Sequence, residues 1–244
     1  MLIDINLSKN FFINGSIILA GAGPGDPNLL TLKVYKAIKL ADVIIYDALV
    51  SKEIIDLAKK NCKLIYAGKL ANNKSCSQDD IILWMKNYSK LNKKVLRLKG
   101  GDPSIFGRGA EELYALKDEK IPIKVFSGIT AGQEALRKLR ISYFNNKDKS
   151  FSIITGHRAI NNKRELNFKK LSTFNGRIII YMGLSELNNI AKKLIDFGKC
   201  NESDVKIITN ISLKNEKILS TKLKNCLLEK NKFGLKPPAI IIIN

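Results

Sequence analysis

Leu19-Ala20-Gly21-Ala22-Gly23-Pro24-Gly25-Asp26-Pro27-Asn28-Leu29-Leu30-Thr31 decides the fold. An apolar run from Ser16 to Ala20 reads as a strand, the three glycines at alternate positions as a turn, and Leu30 to Leu40 as an amphipathic helix. Strand, glycine turn and helix in that order open an α/β unit. A glycine turn in this position is the usual seat of a nucleotide phosphate on a helix N-terminus. Here the spacing is Gly-x-Gly-x-Gly, and Pro24 withdraws a backbone N–H that a phosphate would need, so the loop suits a ligand without phosphates. A second cluster, Arg97-Leu98-Lys99-Gly100-Gly101-Asp102-Pro103-Ser104-Ile105-Phe106-Gly107-Arg108-Gly109, has the same build and again ends a strand. Two such loops in one chain predict a cleft.

Working outward, strand-length apolar runs recur at Asp42 to Tyr46, Leu64 to Ala67, Val95 to Leu98 and Ile123 to Phe126, with helical patterns between them such as Gln78 to Tyr88. Continuous apolar strands alternating with helices predict a parallel sheet covered on both faces. After Ser127 the character changes. A helix is predicted over Ala131 to Leu139, then a polar loop, Asn145 to Ser150, then strands at Phe151 to Thr155, Arg177 to Met182, Val205 to Thr209, Lys217 to Ser220 and Ala239 to Ile243. The close spacing of the third and fourth predicts a hairpin and hence a mixed sheet. The expected organisation is two α/β domains, residues 1–130 and 131–244, with the boundary region near 127–150. Asn-Lys pairs at Asn72 to Lys74 and Asn161 to Lys163 mark exposed loops. Because ligands of open α/β sheets sit at the carboxyl ends of the strands, where both glycine clusters fall, a cleft between the two domains is the expected active site.

Composition narrows the function classes. At 244 residues and 45% hydrophobic content the chain can bury a sizeable core. No apolar run approaches the ~20 residues that cross a bilayer, and Met1 to Asn14 has no signal-peptide pattern, so a cytoplasmic protein without a membrane partner is expected. Cys62, Cys76, Cys200 and Cys226 are scattered and His157 is the sole histidine, so four reduced thiols and no metal are expected. The formal charge of +20 raises nucleic acid as a partner. However, 35 of the 42 basic residues are Lys, only 7 are Arg, and they are spread along the chain among abundant Asn and Ile. That pattern fits a drift in codon usage, no RNA-binding or helix-turn-helix signature is present, and no nucleic-acid partner is expected.

The two glycine clusters carry a further message when they are taken with Tyr46-Asp47-Ala48-Leu49-Val50, Gly68-Lys69, Ser127-Gly128-Ile129-Thr130-Ala131, Thr155-Gly156-His157, Tyr181-Met182-Gly183-Leu184 and Pro238-Ala239-Ile240. In this order, over residues 16 to 243, they resemble the tetrapyrrole methylase family. The resemblance implies two α/β domains, S-adenosylmethionine held between them, a homodimer, and a small-molecule tetrapyrrole substrate. The activity it implies is S-adenosylmethionine-dependent C-methylation of uroporphyrinogen III on rings A and B to give precorrin-2, for sirohaem or corrinoid synthesis. Alternatives are a methyltransferase of a later corrin precursor, a degraded homologue that binds cofactor without turnover and, from a different class, a basic RNA-binding module. Since such a substrate carries eight carboxylates, a positive rim would steer it inward.

Methyl transfer from a sulfonium needs a carbon nucleophile in line with the methyl group and no covalent enzyme intermediate, so positioning and proton management dominate. Asp47 and Lys69 both follow predicted strands, and the resemblance assigns them as proton acceptor and proton donor. Asp47 equally reads as the cap of the next helix, and Lys69 as one surface lysine among many. The resemblance assigns cofactor contacts to Pro24, Gly100, Gly101, Asp102, Ile105, Thr130, Ala131 and Met182. Asp102 also reads as a turn aspartate before Pro103, and Met182 as core. Arg97 and Arg108 offer forks suited to the substrate's acetate and propionate groups, or serve as structural ion-pair partners; both readings stand.

The chain departs from the family pattern mainly on the substrate side. Leu70 and Lys74 stand ahead of Gln78 where an arginine and a histidine are usual, and Ser142-Tyr143-Phe144-Asn145-Asn146 replaces a Pro-Leu-Thr-His-Arg segment. Ser127 replaces a proline, and Ile211 after Asn210 replaces a glycine, which bears on a backbone contact to adenine.

Overall fold

The computed structural model describes residues 10–68, 76–146, 148–157 and 166–244. It divides into two compact units, residues 1–130 and 131–244. The first holds strands β1 (Ile17–Gly21), β2 (Val43–Tyr46), β3 (Lys63–Tyr66), β4 (Val95–Lys99) and β5 (Ile123–Phe126), with helices α1 (Leu32–Leu40), α2 (Lys52–Ile55), α3 (Gln78–Lys90) and α4 (Gly109–Ala115). The strands lie in the order β3-β2-β4-β1-β5, and every pairing is parallel.

Side-chain alternation sorts this sheet into two faces. Ile18, Ala20, Ile44, Leu96 and Leu98 pack with Val34, Ala37 and Ile38 of α1 and Ile54 and Ile55 of α2. Ile17, Val43, Ile45 and Val95 face the other way, onto Ile81 and Met85 of α3 and Leu116 just after α4. Each such aliphatic side chain, once fully buried, contributes about 1.5–3 kcal/mol of transfer free energy. The same alternation sends Arg97 and Lys99 to the α3/α4 face with Val95, where aliphatic neighbours cannot solvate a charge. Connections leave β1 toward β2 and β4 toward β5, in opposite directions across the sheet, which is the arrangement that opens a binding crevice beyond two adjacent strand ends.

Local signals set the element ends. Asp26 caps a 3-10 turn over Pro27–Leu29, and the Thr31 hydroxyl accepts the Val34 amide, so α1 begins at Leu32, two residues later than the apolar pattern predicts. Ser77 and Asp80 form a reciprocal capping box at the start of α3.

The second unit holds α5 (Ala131–Lys138), β6 (Phe151–Thr155), α6 (Phe168–Ser172), β7 (Arg177–Tyr181), α7 (Leu187–Asp196), β8 (Asp204–Thr209), β9 (Lys217–Lys222), α8 (Cys226–Lys232) and β10 (Ala239–Ile243). Its sheet runs β6-β7-β10-β8-β9. Only the β6–β7 pairing is parallel, and β8–β9 is the expected hairpin, so the sheet is mixed. The two-domain α/β reading with one parallel and one mixed sheet is therefore correct. Ile178, Ile180, Ile241 and Ile243 bury one face against Leu187, Ile190 and Leu194 of α7.

Candidate functional site

In the first unit the two glycine loops meet at the carboxyl ends of β1 and β4. Gly23 and Gly101 exchange backbone hydrogen bonds, N–H to O at 3.1 Å one way and 2.7 Å the other. Ala22 donates to Lys99 O at 2.7 Å. Beneath this bridge the backbone is too close for any side chain, since a Cβ on Gly21 would lie 2.4 Å from Gly101 O and 2.7 Å from Gly128 N. Gly21 therefore serves loop-to-loop packing, not approach to a ligand. Gly101 is different: its φ of +69° is the left-handed region that favours glycine, and the nearest atom to a Cβ there is Thr130 Cα at 4.0 Å. Among the described residues nothing lies closer to its outer face.

Asp47 stands just past β2, half-buried. Its Oδ1 accepts the amides of Leu49 at 3.0 Å and Gly100 at 3.2 Å, which ties the β2 loop to the first residue of the second glycine loop. It does not cap a helix; Ser51 holds that position before α2. Asp102 is a turn aspartate and more: Oδ1 accepts Ser104 N at 2.8 Å, Oδ2 accepts Gly128 N at 2.9 Å, and the Ser104 hydroxyl also donates to Oδ1. Half-buried Pro24, Gly100, Ile105 and Thr130 complete the rim of these loops in the same unit. Arg108, at a left-handed φ of 57°, is exposed and pairs with Glu111 at 2.6 Å.

Under the second loop lies a buried charge cluster that the sequence reading did not identify. Glu112 Oε1 accepts Lys99 Nζ at 2.9 Å, Arg97 Nε at 3.2 Å and Gln78 Nε2 at 3.0 Å. Arg97 also donates to Ile45 O and Leu98 O, each at 3.3 Å. The Arg97, Lys99 and Glu112 side chains are 3%, 5% and 1% exposed, so two cations and one anion share a dry site. Burial and the Arg97 charge together hold the Lys99 ammonium below its usual pKa, against the opposing carboxylates of Glu112 and Asp47. Burial pushes the Glu112 carboxyl up, but Arg97 and Lys99 outweigh it and hold it below the usual range. Arg97 is thus a structural ion-pair partner enclosed by protein, which corrects its assignment to the substrate. The signal available in sequence was the alternation itself: Arg97 and Lys99, two apart in an apolar strand, share one face and require a carboxylate.

In the second unit, Tyr181 Oη accepts the Gly132 amide at 2.8 Å, which fixes the end of β7 to the start of α5 and brings Met182 and Ala131 into one neighbourhood. Met182 leaves the strand at φ 51° with 49% of its surface exposed, so it is not core. Near the β8–β9 turn, Asn210 and Ser212 take the left-handed conformation while Ile211 buries its side chain. Asn145 donates to Asn175 O at 2.9 Å. Lys69, Leu70 and Lys74, and the Asn161 to Lys163 loop, lie outside the described residues. Among the described residues no cluster of His, Cys, Asp and Glu could hold a metal, and no helix is long and apolar enough to cross a membrane.

Comparison with known proteins adds to this geometry. The family model of Tetrapyrrole (Corrin/Porphyrin) Methylases matches residues 16–226. A uroporphyrinogen-III C-methyltransferase of Methanocaldococcus jannaschii is 39% identical over 234 residues, covering 95% of this chain and 96% of that protein. A siroheme synthase of Actinobacillus pleuropneumoniae serotype 3 is 37% identical over 99% of this chain but only 49% of its own length, so this chain spans about half of that relative. The crystal structure of uroporphyrin-III C-methyl transferase from Thermus thermophilus complexed with S-adenyl homocysteine superposes with a TM-score of 0.79 and 28% identity, over 94% of this chain and 97% of that one. Matched by the family model over residues 16–226, and paired nearly end to end with a 39% identical relative, this chain belongs to the tetrapyrrole (corrin/porphyrin) methylases.

Proposed function

We propose that the chain catalyses S-adenosylmethionine-dependent C-methylation of uroporphyrinogen III on rings A and B, giving precorrin-2 for sirohaem or corrinoid synthesis. The observation that carries this reading is the way Asp47 is held: a carboxylate at a strand end, bonded to Gly100 of the very loop proposed to meet the cofactor. The residues present fit that cofactor. The Gly23 and Gly101 amides each donate to the other's carbonyl oxygen and offer a phosphate nothing, while the face of Gly101 that the described residues leave open admits an uncharged ligand surface against backbone.

S-adenosylmethionine, when bound, supplies the methyl group. The chain's own residues then have three tasks. Pro24, Gly100, Gly101, Asp102, Ile105, Thr130, Ala131 and Met182 bind and orient the cofactor. After attack the methylated carbon is quaternary and has no hydrogen, so the cationic intermediate loses its proton from elsewhere on the macrocycle. Asp47 takes up that proton, one for each methyl gained, and Lys69 is the proton donor during tautomer exchange of the ring. The exposed Arg108 guanidinium meets a substrate carboxylate, in exchange for its solvated pairing with Glu111. We propose a homodimer in the cytoplasm; the four cysteines are free, as a reducing compartment requires.

The test is anaerobic incubation of the purified chain with uroporphyrinogen III and S-adenosylmethionine, followed by absorbance and mass. A product with two added methyl groups is expected. No methyl transfer to uroporphyrinogen III, with transfer to a later corrin precursor, would reject the proposed substrate and keep the reaction class.

A further inference from the structure

The Arg97, Lys99 and Glu112 cluster takes no part in the chemistry described above, yet its place in the chain is specific. Lys99 is the last residue of β4 and Glu112 lies in the first turn of α4. The segment between β4 and α4, residues 100–108, is the second glycine loop. The 2.9 Å ion pair between Lys99 and Glu112 therefore joins the two ends of that loop. The loop is built tightly onto the pair: a Cβ on Gly107 would lie 3.4 Å from Lys99 Cε, and one on Gly109 would lie 2.6 Å from Pro103 O. Phe106 and Arg108 take left-handed backbone conformations within it, at φ 53° and 57°. Neither residue type favours that region, so the surroundings must over-determine the loop.

Three donors converge on Glu112 Oε1, from β4 and from Gln78 of α3, while Oε2 is buried without a hydrogen-bond partner among the described residues. A buried carboxylate loaded on one oxygen is a directional anchor. Apolar residues in its place would fill the space without fixing the direction.

We propose that Lys99 and Glu112 are a positioning pair, a buried clasp that sets where Gly100, Gly101, Asp102 and Ile105 meet S-adenosylmethionine. The clasp also reaches the proton acceptor, because Gly100 follows Lys99 directly and its amide holds the Asp47 carboxylate. The inference rests on the cofactor reading given above.

Calorimetric titration with S-adenosylhomocysteine tests both separately. Absence of binding by the unaltered chain would reject the cofactor reading itself. If the unaltered chain binds, Glu112→Gln is expected to weaken affinity by at least about ten-fold, since small misplacements of a positioned loop are costly. The KM for S-adenosylmethionine should rise with it while the KM for the tetrapyrrole is unchanged. The triple variant Arg97→Met/Lys99→Met/Glu112→Leu separates clasping from filling. It is expected to keep or exceed the parent melting temperature, as apolar replacements of buried charges often do, and still to bind weakly. Parent affinity in either folded variant overturns the proposal. Failure of both variants to fold overturns it too, because the cluster would then be an element of the whole unit's folding and not a clasp on one loop.

Discussion

The Asp47 carboxylate and the Gly100 amide, 53 positions apart in sequence, meet at 3.2 Å, and the same carboxylate oxygen accepts the Leu49 amide at 3.0 Å. One side chain thus joins the end of β2 to the end of β4. An amide side chain keeps an acceptor oxygen in that place but cannot take up a proton as a carboxylate does. Asp47→Asn is therefore expected to bind S-adenosylhomocysteine as the parent does and to lose turnover by about 10²–10⁴-fold, the usual size of a general-base contribution. Asp47→Ala should lose turnover similarly and also about 1–3 kcal/mol of stability, because two backbone donors lose their acceptor. Single-turnover methyl transfer and chemical denaturation measure the two effects. Parent-like turnover in Asp47→Asn would remove Asp47 from the chemistry.

Lys69 is expected to behave as a proton donor, so Lys69→Ala should reduce turnover more than cofactor affinity. Equal losses in both would place it in binding instead. The assay is the same methyl transfer read beside calorimetry.

The two kinds of glycine predict two different costs. Gly21→Ala puts a Cβ 2.4 Å from Gly101 O, backbone against backbone, and is expected to cost about 3 kcal/mol or more as an overpacked site. Among the described residues Gly101→Ala meets nothing nearer than Thr130 Cα at 4.0 Å, so its cost is the left-handed φ, about 1–2 kcal/mol. Its methyl group would project from the open face, and weakened S-adenosylhomocysteine binding is expected despite the milder destabilisation. Urea melts of the two variants should preserve this order; the reverse order would mean that the loops are not packed as described.

In the second unit, Tyr181→Phe removes the acceptor of the buried Gly132 amide and should cost about 1–3 kcal/mol. Met182 and Ala131 are positioned by this bond, so a rise in the KM for S-adenosylmethionine should accompany the loss. A melting temperature equal to the parent's would show that the amide finds another partner.

Stability should fall in acid through Glu112. Its folded carboxyl is held below the usual range, so on acidification the unfolded chain takes up the proton first. The ion pair's contribution is complete above the ordinary Glu value and is lost as pH falls through the lowered folded value. Lys99 acts in the opposite region: its lowered folded value means that stability rises with pH as the medium approaches the ordinary Lys value from below. Thermal melts between the two ranges should be flat in this contribution, and Glu112→Gln should flatten the acid limb. An acid limb unchanged in Glu112→Gln would assign the transition to other carboxylates.

The parallel sheet, the mixed sheet and the hairpin at β8–β9 were legible in sequence because each rests on local signals: continuous apolar runs of strand length, glycine clusters at the ends of β1 and β4, and the close spacing of the two hairpin strands. The shorter helices were less so. α4 begins at Gly109 without a side-chain cap and runs only seven residues, which leaves too little periodicity to detect. The glycine clusters could be read as ligand loops from residue type and position, whereas Asp47 and Asp102 were singled out through the resemblance and by residue type alone read equally as a helix cap and a turn aspartate. What each one touches could not be read that way. Whether Gly21 admits a ligand or a neighbouring loop depends on Gly101 and Gly128, which are far away in the chain and meet it only when β1 and β4 lie side by side. Arg97 looked equally suited to substrate or to an ion pair, and the choice was made by Glu112, which α4 brings under the sheet at a place no local pattern encodes. Sequence alone determined the order of elements and the residue types at the strand ends, because propensity and alternation act between near neighbours. Only the tertiary structure decided which of those residues face an open surface and which are spent on one another, because burial and hydrogen bonding are settled by chain segments that meet across the sheet.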